Sequence, residues 1–189
     1  MNADRKTLIA LAAVALAQTA VLAYIVIDRV QLLRTGREIT LPIEPVDPRD
    51  IFRGEYVRLG YPAARVALAP ADGVPVKRNE ALYVVLEKAG EDAWRPVEVT
   101  RTLPRGGNPS RIVLKARSLW DAPVYVDWRG ATVKYGIEGY FVRQGEGPKL
   151  EAMARDRKLA VLVAVDKAGN AAIKGLIIDC KLQYEEPLF

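Results

Sequence analysis

The 189-residue sequence has no histidine, one cysteine and only two serines, Ser110 and Ser118. Without histidine there is no Ser-His-Asp or Cys-His triad, no histidine general base and no histidine-ligated metal site. A lone cysteine, Cys180, excludes internal disulfides and Cys-cluster zinc or iron–sulfur sites. No Gly-Lys-Ser/Thr phosphate loop is present, so Arg105-Gly106-Gly107-Asn108 reads as a turn. Long apolar runs are also scarce, since beyond residue 27 the longest covers residues 159–165.

The net charge of +5 suggests nucleic acid until it is located. Arg5, Lys6, Arg29, Arg34 and Arg37 stand against Asp4 and Asp28 in the first 37 residues. The rest holds 23 basic and 21 acidic residues, close to balance. The excess thus flanks an apolar stretch, where basic residues anchor a span to lipid headgroups. Nucleic-acid binding is not expected.

Residues 7–27, TLIALAAVALAQTAVLAYIVI, carry no charge. As a helix they span ~30 Å, the thickness of a bilayer hydrocarbon core. Ala15-Leu16-Ala17 offers a rival reading as a signal-peptide cleavage site. The apolar run continues for ten residues past Ala17, which a cleaved peptide does not need. The expectation is one uncleaved transmembrane helix after a flank at 1–6, with a juxtamembrane linker at 28–46 and a β-rich domain at 47–189. Basic residues lie on both sides of the span, so charge alone does not orient it. In the linker, Pro42 and Pro45 limit helix.

From residue 53 the apolar period is near two. Strands are expected at 55–61, 81–87, 97–103, 111–118, 123–128, 132–142, 159–165 and 171–182, rich in β-branched and aromatic residues. Turn chemistry separates them: Ala71-Asp72-Gly73, Arg129-Gly130, Gly145-Glu146-Gly147-Pro148 and the 166–170 hairpin. A short helix at 149–157 follows Pro148, a favoured first helical position. Mainly β architecture follows, an antiparallel sandwich or partly open barrel with one short helix. Cys180, in phase with Leu176, Ile178 and Leu182, is expected in the core.

The densest polar cluster runs from Asp47 to Tyr61 and holds Arg49, Asp50, Arg53, Gly54, Glu55, Tyr56 and Leu59. Period two sends Leu59 and Tyr61 to one face, and Tyr56 and Arg58 to the other. The run GEYVRLGY resembles the signature of the GDYXXLXY protein family, bacterial membrane-anchored proteins. Gly54, Tyr56, Leu59 and Tyr61 match, and Glu55 stands where the family name has Asp. The stretch Tyr135-Gly136-Ile137-Glu138-Gly139-Tyr140-Phe141-Val142 also resembles that family. The resemblance implies an extracytoplasmic domain on a single inner-membrane anchor, facing the periplasm, with a multi-spanning membrane protein as partner. It brings no assigned activity, so no catalytic residue is carried over.

Asp47, Asp50 and Glu55 suit acid–base work or a hard cation, but the interleaved Arg49, Arg53 and Arg58 favour pairing. No metal site and no cofactor are expected. Tyr56, Tyr61, Tyr135 and Tyr140 suit a ligand wall, yet cross-strand aromatic packing is the simpler account. Glu138, between Gly136 and Gly139, has small neighbours that leave room for a ligand or another backbone, although a surface carboxylate is simpler. A similarity of the Gly-Glu-Tyr-Val turn to membrane-anchored signal peptidases fails, because their Ser–Lys pair needs an upstream serine and residues 1–109 have none. Two function classes remain: a membrane-anchored binding or accessory domain, and a membrane-anchored hydrolase working through carboxylates. The Asp47–Tyr61 region and Glu138 form the candidate contact surface.

Overall fold

The computed structural model describes residues 2–45, 56–66, 73–90, 94–104, 108–119, 121, 131–142, 147–156, 158–179 and 181–185. The chain opens with α1 (Asn2–Thr35), in which every side chain at residues 6–29 is exposed. The Thr19 hydroxyl donates to the Ala15 carbonyl at 2.9 Å, which satisfies a polar group within the apolar stretch. Burial begins only at Val30 and is complete at Leu32. The Gly36 amide closes the helix on the Leu32 carbonyl at 2.9 Å, and the chain turns directly into a strand. A Cβ at Gly36 would lie 2.5 Å from the Leu32 carbonyl oxygen and 3.0 Å from the Val165 nitrogen. Only glycine permits this approach.

Twelve strands follow among the described residues: β1 (Arg37–Pro42), β2 (Glu44–Pro45), β3 (Tyr56–Gly60), β4 (Arg65–Val66), β5 (Ala81–Lys88), β6 (Trp94–Thr100), β7 (Arg111–Ser118), β8 (Ala131–Lys134), β9 (Gly139–Phe141), β10 (Leu159–Val165), β11 (Ala171–Ile178) and β12 (Lys181–Glu185). A 3-10 turn, Pro62–Ala64, links β3 to β4, and α2 (Gly147–Arg155) precedes β10. The strands form three antiparallel sheets, β1-β10-β11-β12, β2-β3-β9 and β4-β8-β7-β5-β6. All three contribute to one core, from Leu41 through Val57, Leu86 and Leu114 to Val161 and Leu176. No closed barrel forms among the described residues. Mainly β, antiparallel architecture with one short helix is therefore what the chain adopts.

Residues 28–46 differ from the expected linker. They hold the end of α1, β1 and β2, and Ile39, Leu41 and Ile43 alternate into the core. Pro42 is tolerated because β1 is the edge of its sheet, where a missing N–H breaks no ladder. The expected strand 132–142 divides into β8 and β9 at Gly136, whose φ is +82°. Likewise 171–182 divides at Asp179, with φ +47°. β6 lies three residues earlier than its alternation suggested. The helix expected at 149–157 is α2, with Pro148 in its first turn. The expected strand 123–128, Cys180 and the turns at 71–72, 105–107, 129–130 and 145–146 lie outside the described residues.

One hairpin ties the sheets together. Asp166 Oδ1 accepts from the Ala168 and Asn170 amides, both at 2.8 Å, fixing the β10–β11 turn. At its tip Gly169, φ +85°, accepts from the Lys115 amide of β7 at 2.8 Å. A Cβ there would sit 3.1 Å from that nitrogen. On the hairpin's far side, the Arg29 guanidinium donates to the Ala171 carbonyl at 3.3 Å. α1, the hairpin and β7 are thus linked by two hydrogen bonds.

Candidate functional site

Strand period two places Val57, Leu59 and Tyr61 inside, 2, 2 and 3 % exposed, and leaves Arg58 outside. β3 pairs with β9 so that Tyr56 faces Phe141, Val57 faces Tyr140 and Arg58 faces Gly139. The two signature-like stretches, about 75 residues apart in sequence, are therefore direct neighbours. Asp47, Arg49, Asp50, Arg53, Gly54 and Glu55 lie outside the described residues.

Where the ladder ends, side chains continue the join. The Leu59 amide donates to the Glu138 carbonyl at 2.9 Å. The Tyr61 hydroxyl donates to the Ile137 carbonyl at 2.6 Å, and the Tyr135 hydroxyl to the Ala63 carbonyl at 2.5 Å. Tyr61, Tyr135 and Tyr140 are all buried. They are core residues, and the hydroxyls of Tyr61 and Tyr135 are satisfied, the packing alternative to a ligand wall. Burial, and after it the negative charge of Glu138, pushes both Tyr61 and Tyr135 well above the ordinary phenol range. They remain neutral donors at any physiological pH.

Glu138 is half-buried and not a free surface carboxylate. Its carboxylate accepts from the Tyr135 amide at 2.5 Å and the Gly136 amide at 3.2 Å. It caps its own turn, and Gly136 supplies the left-handed residue that the turn requires. Nothing lies within 4 Å of a Cβ built at Gly136, so conformation rather than space calls for glycine there.

Beside this turn lies an open cleft of about 740 Å³, lined by Arg78, Lys115, Arg117, Lys134, Tyr135 and Glu138 among others. Lys115 and Arg117 alternate on one face of β7, and Arg117 lies directly opposite Lys134 of β8. Their neighbours on β5 are Tyr83 and Ala81, so neither strand places an acid against them. The sequence reasoning missed this cleft. The Lys-Ala-Arg spacing at 115–117 was a visible signal, but the register bringing Lys134 opposite was not. Among the described residues no three His, Cys, Asp or Glu side chains gather as a metal-ligand set.

The GDYXXLXY protein family model matches residues 18–176, from within α1 into β11. The chain belongs to the GDYXXLXY family. No curated protein and no solved structure matches it. The GDYXXLXY match covers β3, β9 and the turn at Glu138, so the whole crossing lies inside the matched region. In this GDYXXLXY protein the Leu and the second Tyr of the signature are interior residues, Leu59 as apolar filling and Tyr61 as a clamp on the 135–138 turn.

Proposed function

We propose that this protein is a membrane-anchored, extracytoplasmic binding or accessory domain, held at the bacterial inner membrane and acting beside a larger, multi-spanning membrane protein. The observation that carries this reading is the passage from α1 to the core. An apolar helix long enough to cross a bilayer is unburied over residues 6–29, then runs without a linker into β1 of the core. Such a junction would hold the domain at a fixed height and angle over the bilayer, useful for contact with a membrane neighbour and unnecessary for a freely tethered enzyme. The Glu138 carboxylate already accepts two backbone N–H groups, which favours binding over hydrolysis by paired carboxylates. The GDYXXLXY resemblance supports the periplasmic side.

The test is affinity purification of the full chain from detergent-solubilised membranes, followed by mass spectrometry. Recovery of one multi-spanning protein in comparable amount is expected, and recovery of the chain alone would overturn the reading. A C-terminal alkaline phosphatase fusion should be active and a green fluorescent fusion dark. The reverse pattern would put the domain in the cytoplasm.

A further inference from the structure

We infer that the cleft between β7, β8 and the 166–170 hairpin binds the phosphate of an anionic phospholipid headgroup. The inference rests on the anchoring proposed above and adds a ligand to it.

Charge is the first ground. Arg117 and Lys134 are cross-strand partners, and Lys115 lies two residues from Arg117 on the same face. Like charges directly opposite one another in a sheet repel and destabilise it. An anion between them removes that repulsion. Among the described residues neither Lys115 nor Lys134 has an ion pair. The cleft lining holds four cationic side chains, Arg78, Lys115, Arg117 and Lys134, against the single carboxylate of Glu138, and the carboxylates around it are oriented by backbone amides rather than by these cations. Glu138 accepts from the Tyr135 and Gly136 amides, Asp166 from the Ala168 and Asn170 amides, and Asp121 from the Arg78 amide at 2.8 Å. Arg117 donates to the Asn79 carbonyl at 3.1 Å, a neutral acceptor that leaves its charge uncompensated.

Position is the second ground. Asn170 and Ala171 form the hairpin wall of the cleft. The Ala171 carbonyl accepts from Arg29, and the neighbouring Gly169 carbonyl from the Lys115 amide. Arg29 is two residues beyond the end of the charge-free stretch, ~3 Å along the helix axis. The headgroup layer is ~5–7 Å deep on each side of the hydrocarbon. With that anchoring, one wall of the cleft lies close to the headgroup layer, and the Lys115 backbone amide is hydrogen-bonded to the hairpin that forms this wall. A phosphodiester with one negative charge suits a cationic cleft open to solvent on one side.

The experiment begins with carbonate extraction of membranes carrying the full chain. Retention in the pellet is expected, and release would overturn the anchoring without reference to any lipid. Full-length protein in maltoside micelles is then titrated with phosphatidylglycerol or phosphatidylcholine, and bound lipids are counted by native mass spectrometry. The wild type should favour phosphatidylglycerol about tenfold. The double substitution Lys115→Ala with Lys134→Ala should abolish the preference while its melting temperature stays level or rises, because the opposed charges are gone. Lys115→Arg with Lys134→Arg should keep it. A preference unchanged in the alanine variant overturns the site even where the anchor holds. Displacement of the lipid by equimolar glycerol phosphate would assign the cleft to a free phosphate ester instead. Lys115- and Lys134-dependent binding of a hexaglutamate peptide, without lipid preference, would assign it to an acidic protein segment.

Discussion

Tyr61 and Tyr135 clamp each other's chain: each buried hydroxyl donates to a backbone carbonyl in the other's segment, Tyr61 to Ile137 and Tyr135 to Ala63. The arrangement closes the β3–β9 crossing beyond the point where strand pairing stops. Each phenol fills apolar space and satisfies a carbonyl that burial would otherwise leave unpaired.

Tyr61→Phe and Tyr135→Phe should therefore each destabilise the protein by ~1–3 kcal/mol, the cost of a buried acceptor left without its donor. The two losses should not add, because both bonds hold the same crossing. Chemical denaturation of the full chain in detergent measures both the single and the double effect. Strict additivity would mean that the two clamps act independently.

Leu59→Ala should cost ~2–5 kcal/mol, since the side chain is 2 % exposed within the core. Arg58→Ala, one residue away on the outer face, should change stability by less than ~0.5 kcal/mol. Thermal melting of the two variants side by side checks the strand phase.

Gly36→Ala tests the junction between α1 and the β-rich domain. The added methyl meets the backbone of α1 at Leu32 and of β10 at Val165, so the junction must shift away from both, at ~1–3 kcal/mol. Proteolysis of the purified chain should become faster at residues 30–37, whereas Arg58→Ala, on an exposed strand face, should leave that rate unchanged.

The pH response has two ends. Both buried phenols have values raised above the ordinary 10, by burial and then by Glu138. The unfolded chain ionises its tyrosines first, so stability is complete below pH ~10 and falls as pH rises further. A variant carrying both Tyr→Phe changes should lose less melting temperature between pH ~9 and ~11 than the wild type does. At the acid end, the Lys77 amide above all, and then Arg101, hold the Glu80 carboxyl below its ordinary value of 4.5. The amide donates at 2.7 Å and the guanidinium at 2.6 Å. A depressed carboxyl contributes above its unfolded value and stops contributing as pH falls through the folded one. Glu80→Gln should thus cost ~1 kcal/mol near pH 7 and progressively less below pH ~4.5.

The apolar period in Val57, Leu59 and Tyr61 is local information, as is the run Leu159–Val165, which is the observed β10 without a residue's difference. The boundary at Gly136 was not legible, because the alternation of Val133, Tyr135 and Ile137 runs straight across it and only φ interrupts the strand there. β1 was hidden for another reason. Two prolines among charged residues read as a linker, and only the edge position makes one of them harmless. Glu138 read as exposed since nothing in a linear sequence shows a side chain returning to its own turn.

The sequence by itself determined a charge-free helix of bilayer length, a chain lacking histidine chemistry, a β-rich antiparallel domain and its GDYXXLXY signature. These follow from composition and from periods of two or 3.6, which act over a few residues. Only the tertiary structure decided that the helix passes into the core without a hinge and that two stretches about 75 residues apart clamp one another. It also decided that Arg117 faces Lys134. Each depends on strand register and on backbone approaching backbone, as at Gly36 and Gly169, and these are set by the packing of segments distant in sequence.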